Sequence, residues 1–194
     1  MFERKHARAV HGRQQSAASG FAVICFLLLG GLSRAQETAP SEYQVKAAFL
    51  YKFTRFVEWP IEAFPSPSAP FVLGVIGDNP FGPELDRAVK GKDVNGHPFV
   101  VKEIKNVTDA KMCQMLFISS SERRRLPQIL SALGTLPVLT VSETDRFLAS
   151  GGIINLFMDE NKVHFEISDA TAKRAGLRIS SKLLYLARPR SGAK

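Results

Sequence analysis

From Phe71 to Ile167 short unbroken apolar runs alternate with stretches of helical periodicity. Phe71 to Ile76, the region of Phe99 to Ile104, Met115 to Ser119 and Pro137 to Val141 read as strands. Runs such as VLGVI, MLFI and PVLTV show no polar alternation, the pattern of parallel strands covered on both faces. Between them, Pro80 to Val89 and Leu126 to Leu133 read as helices, the second closed by Gly134, and Thr144 to Ala149 reads as a further helix before Gly151 and Gly152. Asn95-Gly96 marks a turn, and Thr108 to Lys111 has room for one helical turn only. The rhythm then changes. Ile153 to Met158 and Lys162 to Ile167 are joined by three residues, too few for a crossover, so they form an antiparallel hairpin at a sheet edge. Ser168 and Ser180 are candidate caps for two closing helices, Asp169 to Ala175 and a last one through Ala187.

Upstream, Ser41 to Trp59 predicts a helix capped by Ser41 and stopped by Pro60. Val45, Phe49, Leu50, Phe53, Phe56 and Val57 share one stripe at 100° per residue, while Thr54 faces away. Three prolines between Phe64 and Pro70 make a stiff connection to the first strand. Alternating strands and helices predict an α/β fold: a central, mostly parallel sheet flanked by helices, with one antiparallel edge hairpin.

Composition supports a packed domain, since 45% of the 194 residues are hydrophobic and 23% charged. The net charge of +8 is unevenly placed. Residues 1 to 35 hold Arg4, Lys5, Arg8, Arg13 and Arg34 against Glu3 alone, half of the whole excess. This basic stretch precedes the apolar run Phe21 to Leu32, FAVICFLLLGGL, and then Ser33-Arg34-Ala35. Such an order is that of a secretory signal peptide, with cleavage expected after Ala35. An uncleaved inner-membrane anchor is the alternative, but twelve residues reach only about 18 Å, against a hydrocarbon core of about 30 Å. The expected organisation is a signal peptide over 1–35 and one α/β domain over 36–190, exported from the cytoplasm. After cleavage Cys113 is the single cysteine, and beside Met112 and Met115 it reads as a buried small hydrophobe.

Reactive constellations are missing from the sequence. His97 and His164 are the histidines of the mature chain, and both read as solvated surface residues. They form no zinc signature, and no G-x-S-x-G, H-E-x-x-H or phosphate-loop motif occurs, so no metal or cofactor is implied. The loop Gly77-Asp78-Asn79 lies where a strand passes into a helix, making it a candidate for a small polar ligand or anion. It lacks dinucleotide spacing, and a tight strand-to-helix turn with Asp78 or Asn79 as the cap is the favoured explanation. Arg123-Arg124-Arg125 is the densest positive cluster after cleavage: a solvated face, or a second candidate surface for an acidic partner. Nucleic acid is not expected as a partner, since no aromatics interleave the cluster. On the first helix, Lys46, Phe49, Phe53 and Trp59 form the leading candidate partner interface, with core packing as the alternative for the aromatics.

Tyr43 to Pro60 (YQVKAAFLYKFTRFVEWP), Leu73 to Asp78 (LGVIGD), Leu116 to Ser119 (LFIS), Gly151 to Ile153 (GGI) and Gly176 to Leu184 (GLRISSKLL) together resemble the YfiR family of bacterial periplasmic proteins. The likeness runs from about Glu42 to Arg188. It implies regulation without catalysis: such proteins repress an inner-membrane diguanylate cyclase by binding its periplasmic sensor domain, lowering cyclic di-GMP synthesis. An OmpA-like outer-membrane lipoprotein can sequester the repressor. The family is also described as dimeric and disulfide-bridged; a homodimer stays open here, but with Cys113 alone, gating by internal bridges is not carried over. The alternative function is a periplasmic small-molecule sensor.

Overall fold

The structure is a computed structural model that describes residues 40–189, so the expected signal peptide over 1–35 lies outside the described residues. Strands β2 (Phe71–Ile76), β4 (His97–Ile104), β5 (Met115–Ile118), β6 (Leu139–Ser142) and β7 (Ile154–Asp159) run parallel in the order β4-β2-β5-β6-β7. β3 (Asp93–Val94) and β8 (Lys162–Ile167) close the two edges in antiparallel pairing, giving a sheet of seven strands. The mostly parallel sheet with an antiparallel edge hairpin is therefore as the sequence predicts. At that hairpin Glu160 and Asn161 both take positive φ, 45° and 62°, the geometry of a tight turn matched to strand twist.

Period-two alternation sends each strand's side chains to two separate cores. Phe71, Leu73 and Val75 of β2 join Met115 and Phe117 of β5 on one face, under α1 (Glu42–Phe53), α2 (Pro83–Val89), α5 (Asp169–Arg174) and α6 (Ser181–Leu186). Val72, Ile76, Leu116 and Ile118 face the other way, under α3 (Val107–Ala110) and α4 (Leu126–Leu133). Every residue of β2, β5 and β6 is buried, as expected of strands roofed on both sides.

Helix α1 begins with a capping box: the Gln44 amide donates to Ser41 Oγ at 3.3 Å, and the Ser41 amide donates to Gln44 Oε1 at 2.9 Å. It ends at Phe53, six residues before the predicted end at Trp59. The buried Thr54 does not face away; its hydroxyl donates to the Tyr51 carbonyl at 2.7 Å, and tight three-residue turns carry the chain through Phe56. Val57–Glu58 (β1) then pairs antiparallel with Arg178–Ile179 (β9), a small second sheet that two-residue strands do not announce in sequence.

The expected helix over Thr144 to Ala149 is a string of turns. Ser142 Oγ accepts the Thr144 amide at 3.1 Å, and Arg146 sits at φ 61°, which interrupts any right-handed run. Phe147 instead drops into the second core against Gly152, where a Cβ would lie 2.2 Å from its ring.

Candidate functional site

The N-terminal turns of α1 cross the carboxyl edge of the sheet, where the loops after β5 and β6 and the far end of β7 meet them. Glu42, Tyr43 and Lys46 from the helix, Ser120 and Glu143 from the loops, and Leu156 to Met158 of β7 surround a cavity of about 340 Å³. That position fits a general rule: open α/β sheets present ligands at the carboxyl ends of their parallel strands.

Lys46 is the centre of this site. It is 3% exposed, yet its ammonium is satisfied from two sides, by Glu42 one helical turn back and by Glu143 Oε2 at 2.5 Å. Tyr43 donates its hydroxyl to the other Glu143 oxygen at 3.3 Å, and the Lys46 ammonium lies 4.8 Å from the Tyr43 ring centre. Burial alone pulls the lysine's pKa down; the hydrogen bonds to Glu143 and Glu42 outweigh it and hold the group above its ordinary value. Burial, and then the Glu143 charge, raise the Tyr43 phenol. Lys46 is therefore a cation and Tyr43 a neutral hydroxyl at physiological pH.

The four proposed interface residues on and after α1 meet different fates. Phe53 is fully buried, edge-on to Phe165 at 5.2 Å, and belongs to the core, which corrects its assignment to a partner surface. Lys46 is held inside the charged cluster just described and likewise is not displayed. Phe49 is half-buried between Phe53 and Phe165. Trp59, also half-buried, donates its indole N–H to the Gln114 carbonyl at 2.8 Å and meets Phe71 edge-on at 5.0 Å. The aromatic stripe is mostly inward because a helix laid over a sheet needs one apolar face to dock.

The loop Gly77-Asp78-Asn79 is exposed but does not line the cavity. Gly77 takes φ 87°, and a Cβ there would lie 2.5 Å from Ser121 Oγ. The Asp78 amide is already given to Ser121 Oγ at 2.9 Å, and Asn79 Oδ1 receives the Phe81 amide at 3.0 Å. These bonds make a tight turn that joins the loop to its neighbour, but neither Asp78 nor Asn79 caps the helix, since α2 starts at Pro83 after Gly82 with no side-chain cap. Arg123, Arg124 and Arg125 are exposed ahead of α4, with Arg125 Nη1 3.1 Å from the Glu122 carboxylate.

Neither histidine is a plain solvated group. His97 stacks on Phe64 with ring centres 3.9 Å apart, its Nδ1 2.6 Å from the Ala69 carbonyl, and so ties the proline-rich connection to the sheet. His164 lies tilted over Phe157 at 5.9 Å. Among the described residues no group of three or more potential ligands could hold a metal ion.

These elements span a region that matches, from residue 43 to residue 188, the model of the YfiR/HmsC-like family. The chain belongs to that family. YfiR-like proteins are periplasmic and regulatory rather than catalytic, acting in cyclic di-GMP signalling. No curated protein matches the chain. The fold is similar to the crystal structure of a conserved domain protein from Vibrio cholerae O1 biovar El Tor strain N16961, with a TM-score of 0.50 and 12% identity. That similarity covers 77% of this chain but 60% of the Vibrio protein, and at such identity it speaks for the fold alone. Among the described residues no helix is long and apolar enough to cross a membrane. The sequence signals this site only in part. Lys46 stood out on the helix face, but Glu143, 97 residues away, carried no local signal.

Proposed function

We propose that this chain is a non-catalytic periplasmic regulator that binds and represses an inner-membrane signalling protein, a diguanylate cyclase. The observation that carries this is the YfiR/HmsC-like match across residues 43–188. Repression needs no covalent step. A regulator that prefers the inactive conformation of a receptor shifts its equilibrium by the difference in affinity for the two states. Of the two candidate partner surfaces, the Arg123-Arg124-Arg125 cluster is the one exposed throughout, and it suits an acidic patch on the receptor's periplasmic domain. An OmpA-like lipoprotein competing for the same chain would relieve repression.

Expression of the chain with its export signal in its own host, with cyclic di-GMP measured in extracts, tests the reading. The nucleotide should fall on expression, crosslinking in the periplasm should recover a cyclase, and Arg123→Glu with Arg124→Glu should weaken both effects. Unchanged cyclic di-GMP and no crosslinked cyclase would sink it. A second reading, a small-molecule sensor, is favoured by one observation: the cavity beside Lys46 is of ligand size.

A further inference from the structure

We propose that the cavity beside Lys46 receives a cationic head on a short apolar stem, an alkylammonium or guanidinium group. Three features of its wall select that chemistry. First, the charges do not balance: Lys46 and Glu143 are buried against each other, with side chains 4% and 11% exposed, whereas Glu42, 39% exposed, adds a second carboxylate. The site therefore carries one net negative charge, and an incoming anion meets two carboxylates around a lysine whose charge they already neutralise. A cation meets the surplus carboxylate.

Second, the acceptors outnumber the donors. Two carboxylates offer four oxygens with roughly eight lone-pair sites. Lys46, Tyr43 and Ser120 together supply five side-chain N–H and O–H protons at most. Third, part of the wall is apolar: Leu156 and Met158 share one face of β7, and Met158 is 40% exposed. An aliphatic stem can lie along Met158 while its head reaches Glu42, the arrangement long basic side chains adopt at amphipathic surfaces. A volume of about 340 Å³ accommodates such a group but not a dinucleotide. Two sources offer this chemistry: a free diamine or guanidinium metabolite, and a lysine or arginine side chain presented by another protein.

Calorimetric titration of the purified mature chain at low salt distinguishes them. The probes are agmatine, cadaverine, a blocked tripeptide Ala-Arg-Ala, and glutarate as the anionic control. Saturable binding of at least one cation is expected at a Kd of about 1 mM or tighter, with glutarate silent. Glu42→Gln, at a partly exposed position that keeps the Lys46–Glu143 pair, should weaken it about tenfold or more, and raising salt should weaken it further. Met158→Ser should weaken binding of the stemmed cations. Tighter binding of agmatine or cadaverine than of the tripeptide identifies a free amine as the ligand; the reverse identifies a protein side chain. No saturable binding by any cation, equal binding to Glu42→Gln, or preference for glutarate overturns the site. Binding is read on the isolated protein, so a null titration leaves cyclase repression standing.

Discussion

The Lys46 ammonium and the Glu143 carboxylate meet at 2.5 Å although 97 residues separate them in sequence. Their contact joins the first helix to the loop after β6, and both side chains are withdrawn from water. Burying either charge alone is costly, so the pair acts as a register mark for how α1 lies on the sheet. Lys46→Met should destabilise the fold by about 3 kcal/mol in urea unfolding, because Glu143 loses its cation while staying buried. Lys46→Met combined with Glu143→Leu should recover most of that loss, since an apolar pair of similar volume replaces a desolvated ion pair. Equal losses for the single and double variants would show that the pair has no such coupling.

Phe53 gives a sharp test of the revised view of α1. Its side chain is fully buried among Leu50, Phe49 and Phe165 rather than offered to a partner. Phe53→Ala should cost about 3–5 kcal/mol, the range for truncating a buried aromatic. An interface residue would give the opposite result, an unchanged unfolding midpoint with weakened partner capture.

Gln114 sits at the other end of the sheet and fastens the connection around the 3-10 turn Ile61–Ala63. Its side-chain oxygen accepts the Val72 amide at 2.8 Å, and its nitrogen donates to the Ala63 carbonyl at 2.6 Å. At 2% exposure no water is at hand to replace either bond. Gln114→Leu strands the buried Val72 N–H and frees the part-buried Ala63 C=O, and should therefore cost about 1–3 kcal/mol. Trp59→Phe keeps the ring packing against Phe71 but gives up the bond to the Gln114 carbonyl, and should cost about 1 kcal/mol. Denaturation midpoints rank the two variants, and the reverse order would contradict this account.

What the sequence discloses here follows the range of the interaction. The apolar runs of β2, β5 and β6 are legible because both faces of each strand are buried, so nothing polar interrupts them. Ser41, Ser168 and Ser180 are legible as caps because each bonds an amide two or three residues ahead. The pairing of Val57–Glu58 with Arg178–Ile179 is not, since two residues carry no periodicity and the partner is remote. The cavity is hidden for the same reason: its charges come from Glu42, Lys46 and Glu143, and only the first two are neighbours in the chain. Helical spacing overestimates α1 because Phe56 and Val57 continue the stripe by coincidence after Thr54 has turned the backbone.

Cys113, 3% exposed and free, gives the alkaline limit of stability a specific origin. Burial pushes its thiol up to about 11 from the ordinary 9.0, with the charge of Asp109 adding to the rise and that of Lys102 opposing it. The unfolded chain therefore ionises first. The thiol's contribution is whole below about pH 9 and is lost as pH climbs toward 11, an amount of about 3 kcal/mol for an offset of that size. Lys46 and Tyr43, both raised, act in the same alkaline direction, so the wild-type chain should weaken steeply there. Cys113→Ala gives up some packing at neutral pH, but its urea midpoint should fall less than that of wild type between about pH 9 and pH 11, and the difference isolates the thiol. At neutral pH a disulfide reagent should label the native thiol at least about 100-fold more slowly than the urea-unfolded one, because little thiolate forms and access is closed. Parallel midpoint curves for the two chains, or equally fast labelling with and without urea, would mean that Cys113 is not held in the core as described.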